Sequence, residues 1–538
     1  MSNLQDLVSK GDNNTIWQKY CGFIDLSLEE FMEIQESLLL EQIEQLDRSK
    51  LGKILFGNNK PKSIEEFRKN VPLTTYDFYD PYFNNQDDSM LPEKPQYWIC
   101  TTWKGGTHPY KWAPYTSSMV KENIKAFIAS LLFATCNGKK FNVTMKPKDK
   151  FLYGMAPLPY FTGIVPYGLK HEFEFEYLPD IQTAENIGFE ERNMLGFQLG
   201  LEKGIDIFFG VSSVLLRIGE KFQEGFSSNK TINGKKSLKA SLRLLKGLIK
   251  SKLHRRNILP KDIWKLKGIV CGGTDTRLYK DKIESYWGVK PLEAYAGTEI
   301  SIVATQTLNY KGLTFFPDVN FLEFISEGES HKNLIDPSYK PKTLLLNEVE
   351  AGGIYELVTT KFKGGAFVRY RVGDLIKIIS LTDKKLGIKV PQMEYVDRVN
   401  SIIDLSAFTR ISEGLLSKAI KLASIDCNKW FASKGINANN EPYLHLHIEQ
   451  NQIKLTQEEI KELLHYYIGE LDDDYKNLES MLGRKPIEVT LLSMGTWKKF
   501  RDMNKDQINT INPKQSEIAQ LVTVSERLTI PTSKELIS

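Results

Sequence analysis

Apolar residues at helical spacing predict that the chain begins with helices. Ser27 and Ser63 are each followed three residues later by a glutamate, which is the capping-box signature of a helix start. The first signal leads into an apolar stripe formed by Phe31, Ile34, Leu38 and Leu39. The second predicted helix is short, because Pro72 cannot continue it.

Further along the chain, β-prone and helical runs alternate. The β-prone runs are Tyr97–Thr102 and Phe141–Met145, and the helical runs are Met119–Phe133 and Leu195–Gly200. Alternation of this kind favours an α/β domain that is built on a largely parallel sheet.

From Thr314 to Leu381, strand-like runs follow one another with only turn residues between them. These runs are Val319–Ile325, Thr343–Asn347, Ile354–Thr360 and Phe367–Ser380. Because no helices separate them, the pattern favours antiparallel pairing in a small barrel or side sheet.

The pattern changes again after Asp397, where it predicts a compact α+β unit. The predicted elements are a helix at Leu415–Leu422, a strand at Tyr443–Glu449, a helix capped at Thr456 and a strand at Pro486–Leu492. The predicted fold is therefore α/β. A large N-terminal domain over residues 1–395 holds mostly parallel sheets plus a small barrel or side sheet. A small α+β C-terminal domain over residues 396–538 follows on a hinge at Asp397-Arg398.

Composition and charge are those of a globular protein with more than one domain. The chain has 538 residues, of which 41% are hydrophobic and 26% are charged. A formal net charge of only +4 argues against a polyelectrolyte binder, so no nucleic-acid partner is expected. The stretch from Lys230 to Lys267 is uneven, with thirteen Lys or Arg against the single acid Asp262. A nucleic-acid or anionic-membrane patch is one interpretation, and a solvated basic face on helices such as Leu238–Leu253 is the favoured one.

The cysteines and the apolar runs predict a cytoplasmic protein without a transmembrane segment. The N-terminus lacks the basic-then-apolar plan of a signal peptide. The longest apolar runs, Phe127–Cys136 and Ile205–Leu216, are shorter than the ~20 residues that span a bilayer. Thiols in no metal-ligand pattern are expected to be reduced and mostly buried, and they are Cys21, Cys100, Cys136, Cys271 and Cys427.

The first candidate for chemistry is the loop Cys100–Lys111, which follows a β-prone run. It combines small hydroxyl residues, a glycine pair and a terminal lysine. Such a loop can turn backbone N–H groups and hydroxyls toward phosphate oxygens, while the lysine adds charge. A surface hairpin that contains glycines explains the same residues equally well.

Two further candidates lie where strands are predicted to end. In Tyr295-Ala296-Gly297-Thr298-Glu299, a tyrosine can stack on a purine, Thr298 can hydrogen-bond an α-phosphate and Glu299 can hold Mg²⁺. In Tyr370-Arg371-Val372-Gly373-Asp374, a carboxylate can accept hydrogen bonds from both ribose hydroxyls. Taken alone, each motif has a simpler explanation. The motif Tyr295–Glu299 is short enough to occur by coincidence, and Gly373-Asp374 is typical of a β-turn at a strand exit.

Other catalytic patterns are absent from the sequence. It contains no nucleophile elbow, no Walker loop, no Cys-His pair at a recognised spacing and no Gly-x-Gly-x-x-Gly fingerprint. His445 and His447 share the polar face of one predicted strand. A solvated pair is the favoured interpretation, because no third metal ligand lies nearby in sequence.

The order and spacing of the three candidates resemble the adenylate-forming superfamily of acyl-CoA synthetases, luciferases and peptide-synthetase adenylation domains. Within it, the flanking residues are most similar to the acyl-acid amido synthetases, the auxin-responsive family of plant hormone-conjugating enzymes and their bacterial relatives. The additional blocks that carry the resemblance are Val71–Asp77, Gly268–Thr274, Phe316–Phe324, Tyr355–Thr360 and Gly495–Trp497. The similarity therefore spans roughly residues 63 to 515, with the blocks in the family's order.

The resemblance implies an enzyme that activates a carboxylic acid with ATP as its acyl-AMP and passes the acyl group to an amine, expected to be an amino acid. It implies ATP and Mg²⁺ as cofactors. The catalytic residues that it implies are Lys111, Thr298 and Glu299, with Glu299 as the metal ligand. Its nucleotide-binding residues are Thr101, Thr102, Thr107, Gly273, Thr274, Tyr295, Ala296, Gly297, Asp374 and Arg398. In that set Tyr295 stacks on adenine, Asp374 binds ribose, and Arg398 on the hinge reaches the nucleotide after the small domain rotates.

Two features depart from the family's pattern. Trp103 and Lys104 stand where its phosphate loop has small residues, and Ile511 stands where a lysine would reach the active site. Two alternatives therefore stay open beside amide synthesis. One is an acyl thioester ligase that uses CoA or a carrier protein, and the other is a catalytically lapsed scaffold that binds an acyl compound. The acid, the amine and the oligomeric state are also open.

Overall fold

The computed structural model describes residues 2–101, 111–224, 238–272, 276–336, 338–398, 402–405, 409–439, 441–452, 454–503 and 510–529. These residues form two compact units, of which the first ends at Asp397 and the second begins at Arg398. None of the helices in the described ranges is both long enough and apolar enough to cross a membrane.

The first unit contains fifteen described α-helices, and both helix starts predicted near the N-terminus are confirmed. Ser27 and Glu30 cap α3 reciprocally, and Ser63 caps α5, which ends at Asn70 just before Pro72. The helices are α1 Leu4–Lys10, α2 Asn13–Cys21, α3 Leu28–Asp47, α4 Lys50–Phe56, α5 Ile64–Asn70, α6 Tyr76–Phe83, α7 Ser117–Thr135, α8 Ile164–Leu169, α9 Ile181–Asn186, α10 Phe189–Lys203, α11 Ser212–Gln223, α12 Leu238–Leu253, α13 Pro260–Ile263, α14 Thr276–Trp287 and α15 Glu327–Ile335.

The strands of the first unit form a hairpin and one large mixed sheet. The strands are β1 Tyr97–Cys100, β2 Trp112–Tyr115, β3 Lys150–Gly154, β4 Glu176–Leu178, β5 Ile207–Val211, β6 Gly268–Gly272, β7 Leu292–Gly297, β8 Ser301–Thr305, β9 Leu313–Phe315, β10 Asn320–Ser326, β11 Thr343–Leu344, β12 Ile354–Lys361, β13 Tyr370–Ser380 and β14 Gln392–Arg398. β1 pairs with β2, and the other twelve form a sheet in the order β11-β10-β12-β13-β14-β9-β8-β7-β6-β5-β3-β4.

The predicted α/β class is confirmed, with one difference in how the sheet is built. The strands from β4 to β7 pair in parallel. From β7 onward the described pairings are antiparallel, as expected, although α15 separates β10 from β11, where no helix was predicted. They extend the parallel sheet rather than form a separate barrel or side sheet, because β7 pairs with β6 on one edge and turns back to β8 on the other. The run Phe141–Met145 is not a strand, and Phe141 has a φ of 61° that strands do not adopt.

The second unit is α+β. Its elements are β15 Ile402–Asp404, β16 Arg410–Ser412, α16 Glu413–Leu422, β17 Cys427–Ile436, β18 Pro442–Gln450, α17 Gln457–Leu471, α18 Asp473–Leu482, β19 Ile487–Leu492, α19 Thr496–Met503 and α20 Gln515–Thr529. β18 is central, antiparallel to β17 and parallel to β19. The predicted apolar face of β18 is confirmed, because Leu444, Leu446 and Ile448 are all fully buried in the core of this unit.

All five cysteines are free thiols, and four of them are buried, as predicted. The interpretation of the histidine pair on β18 is wrong for one member. His447 is only 3% exposed, and burial together with the neighbouring His445 lowers the pKa of His447 to about 4. His445 contacts Thr490 through Nε2 at 2.8 Å. His447 is therefore packed into the unit, whereas His445 remains partly exposed.

Candidate active site

The first predicted cluster lies at the open end of the β1–β2 hairpin. The backbone N–H of Thr101 donates to the carbonyl of Lys111 at 3.0 Å, and the N–H of Lys111 donates to Oγ1 of Thr101 at 3.3 Å. These bonds continue the pairing of Cys100 with Trp112. The structure therefore places Thr101 and Lys111 side by side at the two ends of the predicted phosphate loop. The predicted residues Thr102, Thr107, Gly273 and Thr274 lie outside the described ranges.

Lys111 lies beside Glu299, so the structure brings the first and second clusters together. Nζ of Lys111 is 3.6 Å from Oε1 of Glu299 and 5.4 Å from the centre of the Tyr76 ring. Tyr370, which opens the third cluster, donates its hydroxyl to the same Oε1 at 3.2 Å. The side chains of Lys111 and Glu299 are 21% and 16% exposed. A ligand can therefore reach this pair of opposite charges.

Thr298 and Glu299 occupy the turn between β7 and β8, where the sequence predicted a strand end. The hydroxyl of Tyr115 on β2 donates to the carbonyl of Thr298 at 2.8 Å. The side-chain amide of Asn320 on β10 donates to the carbonyl of Ile300 at 2.7 Å. Because donors from two other strands hold its carbonyls, the turn has one preferred position relative to the sheet.

A buried lysine that sequence reasoning missed lies behind this turn. Lys361, the last residue of β12, donates to Oγ of Ser301, and its Nζ is 5.1 Å from the centre of the Tyr115 ring. Ser301 in turn donates to the Tyr115 hydroxyl at 3.0 Å, and that hydroxyl donates to the carbonyl of Thr298. We call this chain of hydrogen bonds from Lys361 to Thr298 the relay. Burial lowers the pKa of Lys361 well below its usual range, although the nearby Glu299 opposes that shift.

A second contact joins the second and third clusters. The hydroxyl of Tyr295 on β7 donates to Oδ2 of Asp374 on β13 at 2.6 Å, and both side chains are buried. The Tyr295 ring lies 6.3 Å from that of Tyr395, centre to centre. Ala296 is exposed and Gly297 closes β7 opposite Ser301. Of the predicted nucleotide-binding residues on β7, Tyr295 is therefore buried and Ala296 is exposed.

Asp374 lies within β13, not at the strand exit that the sequence predicted. Pairing between β12 and β13 shifts register between Glu356 and Val358, so the segment around Gly373 bulges from the ladder. Gly373 has a φ of 77°, a left-handed conformation that glycine adopts without strain. A bulge re-aims the side chain that follows it, and here it brings Asp374 to Tyr295.

The blocks of the family resemblance also meet in space. Thr74 pairs with the third cluster, since its N–H donates to the carbonyl of Arg369 at 3.0 Å and its carbonyl accepts from the N–H of Arg371 at 2.9 Å. Arg369 forms a buried ion pair with Glu323 at 2.8 Å, and Arg371 pairs with Glu356 at 2.7 Å. Both arginines therefore form ion pairs with glutamates of other strands, and these pairs link the sequence blocks in space.

Arg398, the predicted hinge residue, ends β14 and is the first residue of the second unit. Ile511, the departure from the family's lysine, lies in the core of that unit. Its side chain is only 1% exposed, and the backbone on either side of it pairs with Ala432. A lysine at this position would bring its ammonium group into an apolar core.

Within the described residues, no three His, Cys, Asp or Glu side chains are grouped in a way that could hold a metal ion. Glu299 contributes one partly exposed carboxylate. One carboxylate is compatible with Mg²⁺ in a nucleotide site, because Mg²⁺ commonly takes one or two protein carboxylates and fills its other positions with phosphates and water.

Comparison with solved structures shows that the chain has the fold of adenylate-forming ligases. It is similar to the AtGH3.15 acyl acid amido synthetase in complex with 2,4-DB, with a TM-score of 0.50 and 13% identity over 95% of this chain and 96% of that chain. It is also similar to a 2-hydroxyisobutyryl-CoA ligase in complex with 2-HIB-AMP and CoA. That likeness has a TM-score of 0.56 and 13% identity, and covers 94% of each chain.

Residues 21–155 match the GH3 family N-terminal domain, and residues 313–398 match the GH3 family central domain. Both matches are to domains of the GH3 family, and they confirm the resemblance that was drawn from the sequence.

Two curated relatives align with part of the chain. A jasmonoyl–L-amino acid synthetase GH3.5 of Oryza sativa subsp. japonica is 29% identical over 171 residues, which are 29% of this chain and 27% of that protein. An indole-3-acetic acid-amido synthetase GH3.3 of Arabidopsis thaliana is 28% identical over 142 residues, which are 26% of this chain and 20% of that protein. The aligned segments thus span about a quarter of these relatives.

Proposed function

We propose that this chain uses ATP to convert a carboxylic acid into its acyl-AMP and then transfers the acyl group to the amine of an amino acid. The observation that carries the proposal is the meeting of three distant clusters around one strand end. At one end of the segment Tyr295–Glu299, the phenol contacts Asp374, and at the other end Glu299 contacts Lys111 and Tyr370.

The phosphate end of this site would be formed by Lys111, Thr298 and Glu299. In the first half-reaction a carboxylate oxygen of the acid bonds to the α-phosphorus, and pyrophosphate leaves. The ammonium group of Lys111 would offset the negative charge on the phosphate oxygens as this exchange proceeds. Glu299 would hold Mg²⁺, which when bound supplies further positive charge beside the phosphates.

The nucleoside end would be formed by Tyr295 and Asp374. A carboxylate accepts two hydrogen bonds from neighbouring ribose hydroxyls more strongly than a neutral group does. The Tyr295 hydroxyl already donates to Oδ2, which holds the carboxylate in one orientation. The tyrosine ring supplies a flat apolar surface for adenine.

In the second half-reaction the amine attacks the acyl carbon, AMP leaves with the bonding electrons, and the amine nitrogen loses a proton. Amino acids are the proposed acceptors because the two curated relatives are named as enzymes that join acids to amino acids or form amides. Rotation of the second unit about Asp397 and Arg398, where the two units divide, would bring Arg398 to the nucleotide for one of the two steps. The five free cysteines suit a reducing compartment such as the cytoplasm.

Pyrophosphate exchange is the direct test of the first half-reaction. The purified chain is incubated with ATP, Mg²⁺ and labelled pyrophosphate, and a panel of aromatic, aliphatic and hydroxy acids is supplied one at a time. Exchange that depends on one class of acid supports adenylation and identifies the substrate. A blank across the panel, with no ATP binding by calorimetry, would favour the lapsed scaffold instead.

The acceptor is then identified with the active acid. Each amino acid and CoA are added in separate reactions, and the products are resolved by mass spectrometry. An amide with release of AMP supports the proposal, whereas a thioester formed only with CoA would make the chain an acyl-CoA ligase.

A further inference from the structure

Helix α12 presents an apolar stripe to solvent. Six of the eighteen large apolar side chains that are exposed in the described chain lie on this one helix of 16 residues. Five of them recur every three or four residues, namely Leu238, Leu242, Leu245, Ile249 and Leu253, and the sixth, Leu248, is adjacent to Ile249. Their exposed fractions lie between 47% and 78%. Side chains at this spacing share one helix face. Apolar faces of this size are rare on soluble surfaces unless they bind something.

The outward position of this stripe is set by the opposite face of the helix. Ala240, Gly247 and Ser251 are the buried residues of α12, and Leu244 packs partly against the same core. A Cβ atom at Gly247 would lie only 2.7 Å from Cδ1 of Ile258, so a larger residue there would need the Ile258 side chain to shift. Because the small face is packed against the first unit, the leucine face cannot turn inward without detaching the helix.

A row of positive charge flanks the stripe. Lys239, Lys246 and Lys250 are exposed, and on a helix they lie together beside the apolar face. The helix contains five Lys or Arg and no acid. Lysine carries its charge on a flexible four-carbon stem, so its ammonium group can lie at a different depth from the leucine side chains.

We propose that α12 docks this chain on an anionic phospholipid surface, with its leucine and isoleucine side chains among the upper acyl chains and its lysines among the headgroup phosphates. A helix with one strongly apolar face and a basic flank lies in the plane of a membrane interface in this way. The exposed leucines of α12 favour the anionic-membrane interpretation of this stretch over that of a solvated basic face.

Charge and chemistry favour lipid over the other occupants. A second copy that paired its α12 antiparallel with this one across a two-fold axis would place one row of lysines beside the other, and like charges repel. Single-stranded nucleic acid binds surfaces that combine positive charge with aromatic stacking side chains, and α12 has no aromatic residue. An anionic bilayer meets both the apolar stripe and the basic row at once.

Co-sedimentation with vesicles tests the apolar part of the proposal. The full chain is expected to sediment with vesicles of phosphatidylglycerol and phosphatidylcholine, and weakly with phosphatidylcholine alone. The triple variant Leu242→Ser, Leu245→Ser, Ile249→Ser is expected to lower binding by at least about tenfold, since each change removes apolar area from the contact. The matched control Ile54→Ser, Ile379→Ser, Leu422→Ser alters exposed apolar residues elsewhere and is expected to bind normally.

The basic part is tested by Lys239→Gln, Lys246→Gln, Lys250→Gln, with Lys53→Gln, Lys69→Gln, Lys121→Gln as control at exposed lysines of other helices. The first variant is expected to lose its preference for anionic vesicles, and the control to keep it. Circular dichroism confirms that each variant is folded.

Three results would overturn the proposal. They are absence of binding to either vesicle, binding that the serine variant leaves unchanged, and self-association in sedimentation velocity that the serine variant abolishes while vesicle binding is absent. The last result would assign the stripe to a second copy of this chain.

Discussion

The hydroxyl of Tyr295 donates a hydrogen bond of 2.6 Å to the carboxylate of Asp374, across a sequence separation of 79 residues. Each residue was a candidate for a different part of a bound nucleotide, and the structure makes them one unit. Both lie where strand pairing shifts register, Tyr295 on β7 and Asp374 in the bulge of β13. Two irregular strands therefore create the contact, and regular pairing would have aimed the two side chains elsewhere.

Replacing Asp374 tests the ribose role. Asp374→Ala is expected to weaken ATP binding by about 1.5–3 kcal/mol, because the ribose hydroxyls lose a charged acceptor. Tyr295→Phe keeps both the ring and the carboxylate and is expected to cost less. Calorimetric titration with ATP measures both, and Asp502→Ala serves as control at an exposed aspartate of the second unit. An unchanged dissociation constant for Asp374→Ala would make the residue a structural partner of Tyr295 only.

Replacing Lys111 tests whether the loop Cys100–Lys111, which departs from the family's pattern at Trp103 and Lys104, still contributes to phosphate binding. Lys111→Ala is expected to lower pyrophosphate exchange by about 10²–10³-fold, the usual effect of removing one group that stabilises charge in a transition state. The exposed Lys121 on α7 provides the control, and Lys121→Ala is expected to leave exchange unchanged. If Lys111→Ala exchanges pyrophosphate at the normal rate, the loop does not act through this lysine, and the contact with Glu299 is a surface ion pair.

Replacing Lys361 tests the relay behind the β7–β8 turn through the pH dependence of stability. Burial lowers the pKa of Lys361 in the folded chain, whereas the unfolded chain keeps the ordinary value of 10.5. Between these two values the unfolded state binds more protons, so the free energy of unfolding rises with pH by up to about 1.4 kcal/mol per pH unit. Lys361→Met is expected to remove this slope in urea titrations at several pH values approaching 10.5. Lys121→Met is the control. An identical slope in the parent chain and both variants would show that the pKa of Lys361 is not lowered in the folded chain.

Replacing His447 tests the second unit at acid pH. Burial and His445 hold the pKa of His447 at about 4, against 6.5 in an exposed histidine. Stability from the neutral side chain is complete above pH 6.5 and is lost as the pH falls toward about 4, by up to about 1.4 kcal/mol per unit. His447→Gln is expected to lose less stability over this range than the parent chain, measured by urea unfolding. His171→Gln, at an exposed histidine, should behave as the parent, and equal acid sensitivity of the parent and His447→Gln would show that His447 titrates normally.

Local signals in the sequence predicted much of the fold, and long-range packing explains what they missed. The capping residues Ser27 and Ser63 act within one turn of a helix, and the alternation along β18 places Leu444, Leu446 and Ile448 on one buried face. The predicted elements there are confirmed. Phe141, by contrast, lies in an apolar run that no neighbouring strand pairs with, and its left-handed φ ends the extended conformation.

The candidate site shows the same division between local and distant information. Short motifs identified Lys111, Glu299, Tyr295 and Asp374, and the structure brings them together in pairs. The relay through Lys361 was not predictable, because a single lysine after an apolar strand is ordinarily taken for an exposed strand end. Its burial depends on Ser301 and Tyr115, which reach it from two other strands.

Replacing Ile511 tests whether a missing lysine limits activity. The sequence alone suggested that Ile511→Lys would restore a cation to the site, but the side chain is packed in the core of the second unit. Ile511→Ala is expected to cost about 2–5 kcal/mol of stability through the cavity that it leaves. Ile511→Lys is expected to cost more, because its ammonium group would be buried among the apolar side chains of this core. Ile436→Lys, at an exposed isoleucine on β17 of the same unit, is the control and should change stability by less than about 0.5 kcal/mol.

Chemical unfolding of the three variants and the parent gives the order of their stabilities, and pyrophosphate exchange is measured on each folded protein. Normal stability of Ile511→Lys together with faster exchange would contradict this expectation, since it would show that the side chain leaves the core and reaches a nucleotide site.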